Sequence, residues 1–161
     1  MSFLKKNFFN AFIILLSIIL ALTPTVIAPV CPIMENGMKM GCYYSKIFVL
    51  YLAIAMIIIS LISIFINNRI VKIILNIINI ICALFVHLVP QQIVKISVGL
   101  TKMGKPKYIG HCMKSTMNCV KHHTFTITST LGIIIALLSL SLIHISEPTR
   151  LRQLSRMPSS A

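Results

Sequence analysis

The sequence predicts an all-α integral membrane protein with four transmembrane helices. Three observations carry that fold class. The 161 residues are 57% hydrophobic and only 11% charged, against about 45–50% and about 25% in soluble domains. The apolar residues gather into four runs, each near the roughly 20 residues that cross about 30 Å of hydrocarbon. Short polar connections, rich in lysine, separate the runs. A chain of this length makes one domain, and so few charges cannot clothe so much apolar surface in water. The lipid bilayer is the partner this composition demands.

The first span covers residues 8–30, behind Lys5 and Lys6. Pro24 and Pro29 are expected to bend or end its helix, because proline lacks the N–H the helix needs. A cleaved signal peptide fits the flanks poorly. Cleavage after Ala28 would leave Pro29 first, and Val30 rather than a small residue precedes Cys31. An uncleaved span is the better reading.

The second span, residues 47–66, is the clearest. It has no charge and holds eight Ile, three Leu, one Val and two Phe. At roughly −0.3 to −0.6 kcal/mol each, these favour insertion by about 4–8 kcal/mol before polar costs. The third covers residues 73–89 after a polar break at 67–72, with Asn76 and Asn79 on one helical face. Their side chains are expected to hydrogen-bond to a neighbouring helix. His87, close before Pro90, is expected to reach for the interface. The fourth span begins near Thr124 and runs to residue 140 or beyond. Residues 141–161 resemble translated sequencing-adapter read-through, with Leu142 to Arg150 carrying the likeness, and are read as a non-native tail outside the 1–140 membrane domain.

The net charge of +13 raises nucleic acid as a partner. The lysines are scattered through connections, however, and form no basic helix face or nucleic-acid motif. Attraction to anionic headgroups, about 1 kcal/mol per basic residue near the surface, accounts for them better. Four spans place residues 31–46 and 90–123 on one side. That side carries Lys39, Lys46, Lys95, Lys102, Lys105, Lys107, Lys114 and Lys121, against Lys5, Lys6, Arg69 and Lys72 opposite. The raw count favours an outside N-terminus. The Lys5–Lys6 flank of the first span, which often dominates, favours a cytoplasmic one, and that is the orientation expected.

Four of the five cysteines fall in the two connections that share a side: Cys31 and Cys42 in one, Cys112 and Cys119 in the other. Both connections end alike, with Met40-Gly41-Cys42 and Met117-Asn118-Cys119. The order span, Cys, Met-x-Cys, span occurs twice, which points to a two-fold internal repeat. Three chemistries fit the thiols. Disulfides holding the two loops are the expected state and suit an oxidising exterior; the other two are alternatives. A soft-metal site for copper or zinc would draw on Met40, Met117, His111, His122 and His123 as auxiliaries, although no C-x2-C pair of the structural zinc kind is present. Reactive thiols are the third, with lysines and histidines near Cys112 and Cys119 favouring the thiolate. Cys82, inside the third span, reads as a small packing residue.

No acidic or basic residue lies inside the predicted spans, which weighs against a proton-coupled pump. No P-loop or other catalytic motif occurs, so no catalytic residue and no resident cofactor is expected. A non-enzymatic protein that assembles with a transport complex is the leading reading. A membrane thiol–disulfide oxidoreductase is the enzyme alternative; disulfide-bond formation protein B is similar in layout, but the C-x-x-C pair is missing here.

The two cysteine loops, with Cys31 to Met40-Gly-Cys42 and Ile109-Gly110-His-Cys112 to Met117-Asn-Cys119, resemble those of the four-span bacterial and archaeal membrane family called domain of unknown function 4418. The likeness covers roughly residues 8–140. Pro90 and Pro106 are both candidates for the proline that ends the family's third span. The resemblance implies a multi-pass protein of the cell membrane with its cysteine loops outside the cytoplasm. It implies no known activity, and at most an accessory role beside ABC-type transporter subunits, or self-association.

Overall fold

The computed structural model describes residues 2–31, 39–66, 68–100, 106–110 and 117–146, without side-chain detail for 2–7, 100, 107, 145 and 146. Helix α1 (Ser2–Leu22) continues into a π turn at Thr23–Ile27. Helices α2 (Gly41–Phe65), α3 (Arg69–Leu88) and α5 (Thr124–Ser146) follow, with the short α4 (Asn118–Lys121) just ahead of α5. Four of these helical segments are long and apolar enough to cross a membrane. They form an up-and-down ring in which α1 packs on α2 and α5, and α3 packs on α2 and α5.

What goes inside the ring is the reverse of a water-soluble bundle. On α1 the buried positions are Asn10, Ile13, Ser17 and Leu20, followed by Thr23 and Pro24 on the π turn. On α3 they are Asn76, Asn79, Ala83 and Val86. Helix α5 repeats the spacing with Phe125, Thr128, Gly132, Ile135, Ser139 and Leu142. Steps of three and four residues average 3.5, the period of a left-handed supercoil. Small and hydroxyl-bearing residues recur in the seam between larger apolar ones such as Ile13, Leu20 and Ile135, and they let helices approach when lipid gives no hydrophobic incentive to associate. A Cβ on Gly132 would lie 3.0 Å from the Ala83 carbonyl oxygen, so glycine sets the spacing of α3 against α5. The large apolar side chains face outward instead: Phe8 is 71% exposed and Phe65 85%. Only a hydrocarbon surround makes such a surface favourable.

Polar side chains in the seam mostly bond locally. Ser17 Oγ donates to the Ile13 carbonyl at 2.8 Å and Thr23 Oγ1 to that of Ile19 at 2.8 Å, satisfying the hydroxyls without a partner helix. Asn79 is different: its Nδ2 donates across to Ser60 Oγ on α2 at 3.0 Å. That is the interhelical bond the third span was expected to make.

Several details refine the sequence reading or depart from it, each for a physical reason. Pro24 ends the regular α-helix, one of the two outcomes expected of it, and α1 stops at Leu22. The backbone widens into the π turn, closed by Ala28 N–H donating to the Thr23 carbonyl at 2.8 Å, which accommodates a residue with no N–H of its own. Helices α2 and α3 begin at Gly41 and Arg69, ahead of the apolar runs. Lys46, Arg69 and Lys72 therefore sit on terminal turns, where long side chains reach the interface. His87 does not snorkel: its Nδ1 is hydrogen-bonded to Ser129 Oγ on α5. Residues 141–146 prolong α5, within the open end expected for the fourth span, and Leu142 is buried in the core. The long connection is not all loop. Strands β1 (Ser97–Leu100) and β2 (Pro106–Tyr108) form a two-stranded antiparallel ribbon, with Ser97 opposite Tyr108. Exposure alternates residue by residue from Gln91 to Gly99, the period-2 sign of a strand.

Candidate thiol centre

Three cysteines from three separate segments meet at the end of the bundle opposite the α2–α3 turn. Each is delivered by a different local device. After the π turn the chain leaves helical geometry at Ala28 (φ −136°, ψ 75°) and runs through Pro29 and buried Val30 to Cys31. The Ala28 carbonyl, orphaned at the helix end, accepts from Thr124 Oγ1 of α5 at 2.9 Å. That bond pins the Cys31 segment to the start of the fourth span and satisfies a buried acceptor.

Cys42 is the second residue of α2, behind Met40 at the N-cap. Gly41 between them is a steric necessity: a Cβ there would stand 2.9 Å from the Tyr108 carbonyl oxygen. Ser45 Oγ donates to the Gly110 carbonyl at 3.0 Å, so the start of α2 is tied to the strand that leads into the second cysteine connection. Cys119 is the second residue of α4, behind Met117 at its N-cap. His123, in the left-handed region at φ 50°, then turns the chain into α5. Both Met-x-Cys motifs thus take the same local place: methionine occupies the N-cap position without a side-chain cap, and cysteine enters the first turn.

The Sγ atoms of Cys31, Cys42 and Cys119 all lie within 4.8 Å of one another. Those of Cys31 and Cys119 are 3.7 Å apart. All three residues are buried, among Val30 and Phe125, with Met40, Met117 and Val120 packed around them. No disulfide joins the described cysteines, and 3.7 Å is far beyond the roughly 2.05 Å of a sulfur–sulfur bond. It matches the edge of a coordination polyhedron instead. Thiolates held about 2.3 Å from a tetrahedral ion stand about 3.8 Å apart. The Cys31–Cys119 pair has that spacing, which is also that of a thiol–thiol hydrogen bond, and the other two pairs lie within 4.8 Å.

Access comes from beside Cys119. A cavity of about 320 Å³ is lined by Gln91, Cys119, Val120, His123, Phe125 and Thr126. Gln91 Nε2 donates to Ser129 Oγ at 3.0 Å, the hydroxyl that also meets His87, which fixes that wall of the cavity. Of the other residues singled out in the sequence, Met40 and Met117 flank the thiols. His122 and His123 are exposed, with His123 on the cavity wall. Cys82 lies far along α3 and outside the trio. Cys112 and His111 lie outside the described residues. The braces Gly41, Ser45 and Thr124 were not legible from motif spacing. Their only sequence signal is position, at or near the first residue of a span.

No curated protein and no solved structure matches the chain. A family model described as "Domain of unknown function (DUF4418)" matches residues 13–145, a stretch that includes four apolar helices and all three clustered thiols. The chain is thus a multi-pass, membrane-type member of the DUF4418 family.

Proposed function

We propose that this is a non-enzymatic membrane protein whose Cys31–Cys42–Cys119 trio binds one thiophilic metal ion, Cu(I) or zinc, as an accessory to an envelope transport complex. The observation that carries the reading is the convergence of three buried Sγ atoms within 4.8 Å. Thiolate ligands select Cu(I) and zinc over harder cations. A trigonal Cu(I) site is complete with three sulfurs, whereas zinc takes a fourth ligand. The flanking thioethers of Met40 and Met117 suit the softer ion. The accessory role rests on the small size of the chain and its lack of a nucleotide-binding motif. The extracytoplasmic placement of the thiol end rests on the Lys5–Lys6 flank.

The test is metal analysis of protein purified in detergent without chelator. About one copper or zinc per chain is expected, falling below a tenth in Cys42→Ser and Cys119→Ser and unchanged in Cys82→Ser. A wild-type content below a tenth after incubation with either ion would defeat the metal reading.

A second reading is favoured by the 3.7 Å approach of Cys31 to Cys119 and the cavity that reaches Cys119. The two thiols would close to a cross-loop disulfide, releasing two protons and passing two electrons to a membrane quinone. Quinone reduction that survives Cys31→Ser and Cys119→Ser would rule this out.

A further inference from the structure

The opposite end of the bundle carries a second recess of different chemistry. Asn10 of α1, Ser63 of α2, Arg69, Lys72 and Asn76 of α3, and Leu142 of α5 line it. All four spanning helices contribute, so the recess opens at the rim of the bundle, level with the α2–α3 turn. Its polar walls are buried: Ser63 is 2% exposed, Asn10 6% and Asn76 8%. Ser63 Oγ has no hydrogen-bond partner, although an unmade bond at a buried hydroxyl costs about 1–3 kcal/mol. Ser63 lines a space of about 40 Å³, larger than the roughly 10–15 Å³ that one water requires. Two cations and three neutral polar groups, one of them an idle donor, therefore line one small space at headgroup depth. The first turn of α3, capped by Asn68 Oδ1 accepting from Ile70 N–H, adds the positive end of a 20-residue helix.

We propose that this recess binds the phosphate group of an anionic glycerophospholipid. The cations supply the attraction. Ser63, Asn10 and Asn76 supply hydrogen bonds to the phosphate oxygens. The small volume admits those oxygens and leaves the rest of the headgroup outside. Neutral and zwitterionic lipids lack the net charge that Arg69 and Lys72 select, and a cation is excluded by the same pair.

The test uses the full chain in dodecylmaltoside, titrated with phosphatidylglycerol, phosphatidylcholine or inorganic phosphate. Thermal midpoint and lipid retention in native mass spectrometry are the readouts. Phosphatidylglycerol is expected to bind at least about tenfold tighter than phosphatidylcholine, from two basic residues at about 1 kcal/mol each. The preference should collapse in Arg69→Gln/Lys72→Gln and survive in Lys95→Gln at the other end. Ser63→Ala keeps the test open should the double variant fail to fold. It removes only an unpartnered hydroxyl, so the lipid-free midpoint should hold while the phosphatidylglycerol preference falls severalfold. Equal stabilisation by inorganic phosphate, lost in the same variants, would retain the phosphate site but name free phosphate as its ligand and overturn the lipid assignment. Equal binding of the two lipids, or a preference indifferent to Ser63, Arg69 and Lys72, would overturn the proposal.

Discussion

The two ends of the bundle solve opposite problems with the same scaffold. At the thiol end, buried polar groups are paired within the chain: Thr124 with the Ala28 carbonyl, Ser45 with that of Gly110. Glycine at 41 lets two backbones meet, and three soft ligands are held close before any ion arrives. At the α2–α3 end, the buried Ser63 hydroxyl is unpaired and the charges of Arg69 and Lys72 line the recess beside it. One end is preorganised by covalent neighbours and backbone bonds; the other is completed by what binds there. Rigid ligand sets cost little reorganisation on binding, whereas an electrostatic recess trades precision for tolerance of ligand shape.

The comparison can be broken most forcefully at Gly41. Gly41→Val must push Tyr108 and the start of α2 apart, at about 1–3 kcal/mol for overpacking. Metal retention should be lost with it, while lipid selectivity at the other end stays intact. Loss of both would mean the ends are not independent. Metal removal comes next. Free metal at about 100 times its dissociation constant should stabilise the fold by about 2.7 kcal/mol. Chelator should abolish that increment in the wild type and change nothing in Cys119→Ser, as read by thermal melting. Thr124→Val deletes a donor to a buried carbonyl and should cost about 1–2 kcal/mol, with a weaker metal site as its companion. The smallest effect belongs midway between the ends. Asn79→Ala, which removes the bond to Ser60, should cost about 0.6 kcal/mol, the average for such bonds in lipid, and alter neither ligand.

The spanning helices were legible because lipid imposes a simple requirement of length and apolarity, and the chain meets it four times. Where α2 and α3 begin was less so, since Gly41 to Lys46 and Arg69 to Lys72 are helical for reasons of docking and capping. The ribbon around Ser97 has its sequence signal in the alternation from Val94 to Val98. The seam of Asn10, Ser17, Ser60, Ser63 and Ser139 carried a 3.5-residue signal hidden by the overwhelming apolarity around it. Repetition of Met-x-Cys marked Cys42 and Cys119, which lie together with Cys31 among the described residues. Spacing could not join them. A C-x2-C rule describes ligands on one turn of chain, whereas Cys31 and Cys119 are 88 residues apart and meet only because α1 and α5 pack side by side.

The central claim is that three thiols form one metal centre, and X-ray absorption at the bound metal tests it most directly. The account predicts a first shell dominated by three sulfur scatterers at about 2.3 Å, reduced by one in Cys42→Ser. A shell of nitrogen and oxygen alone near 2.0 Å, indifferent to that substitution, would contradict it.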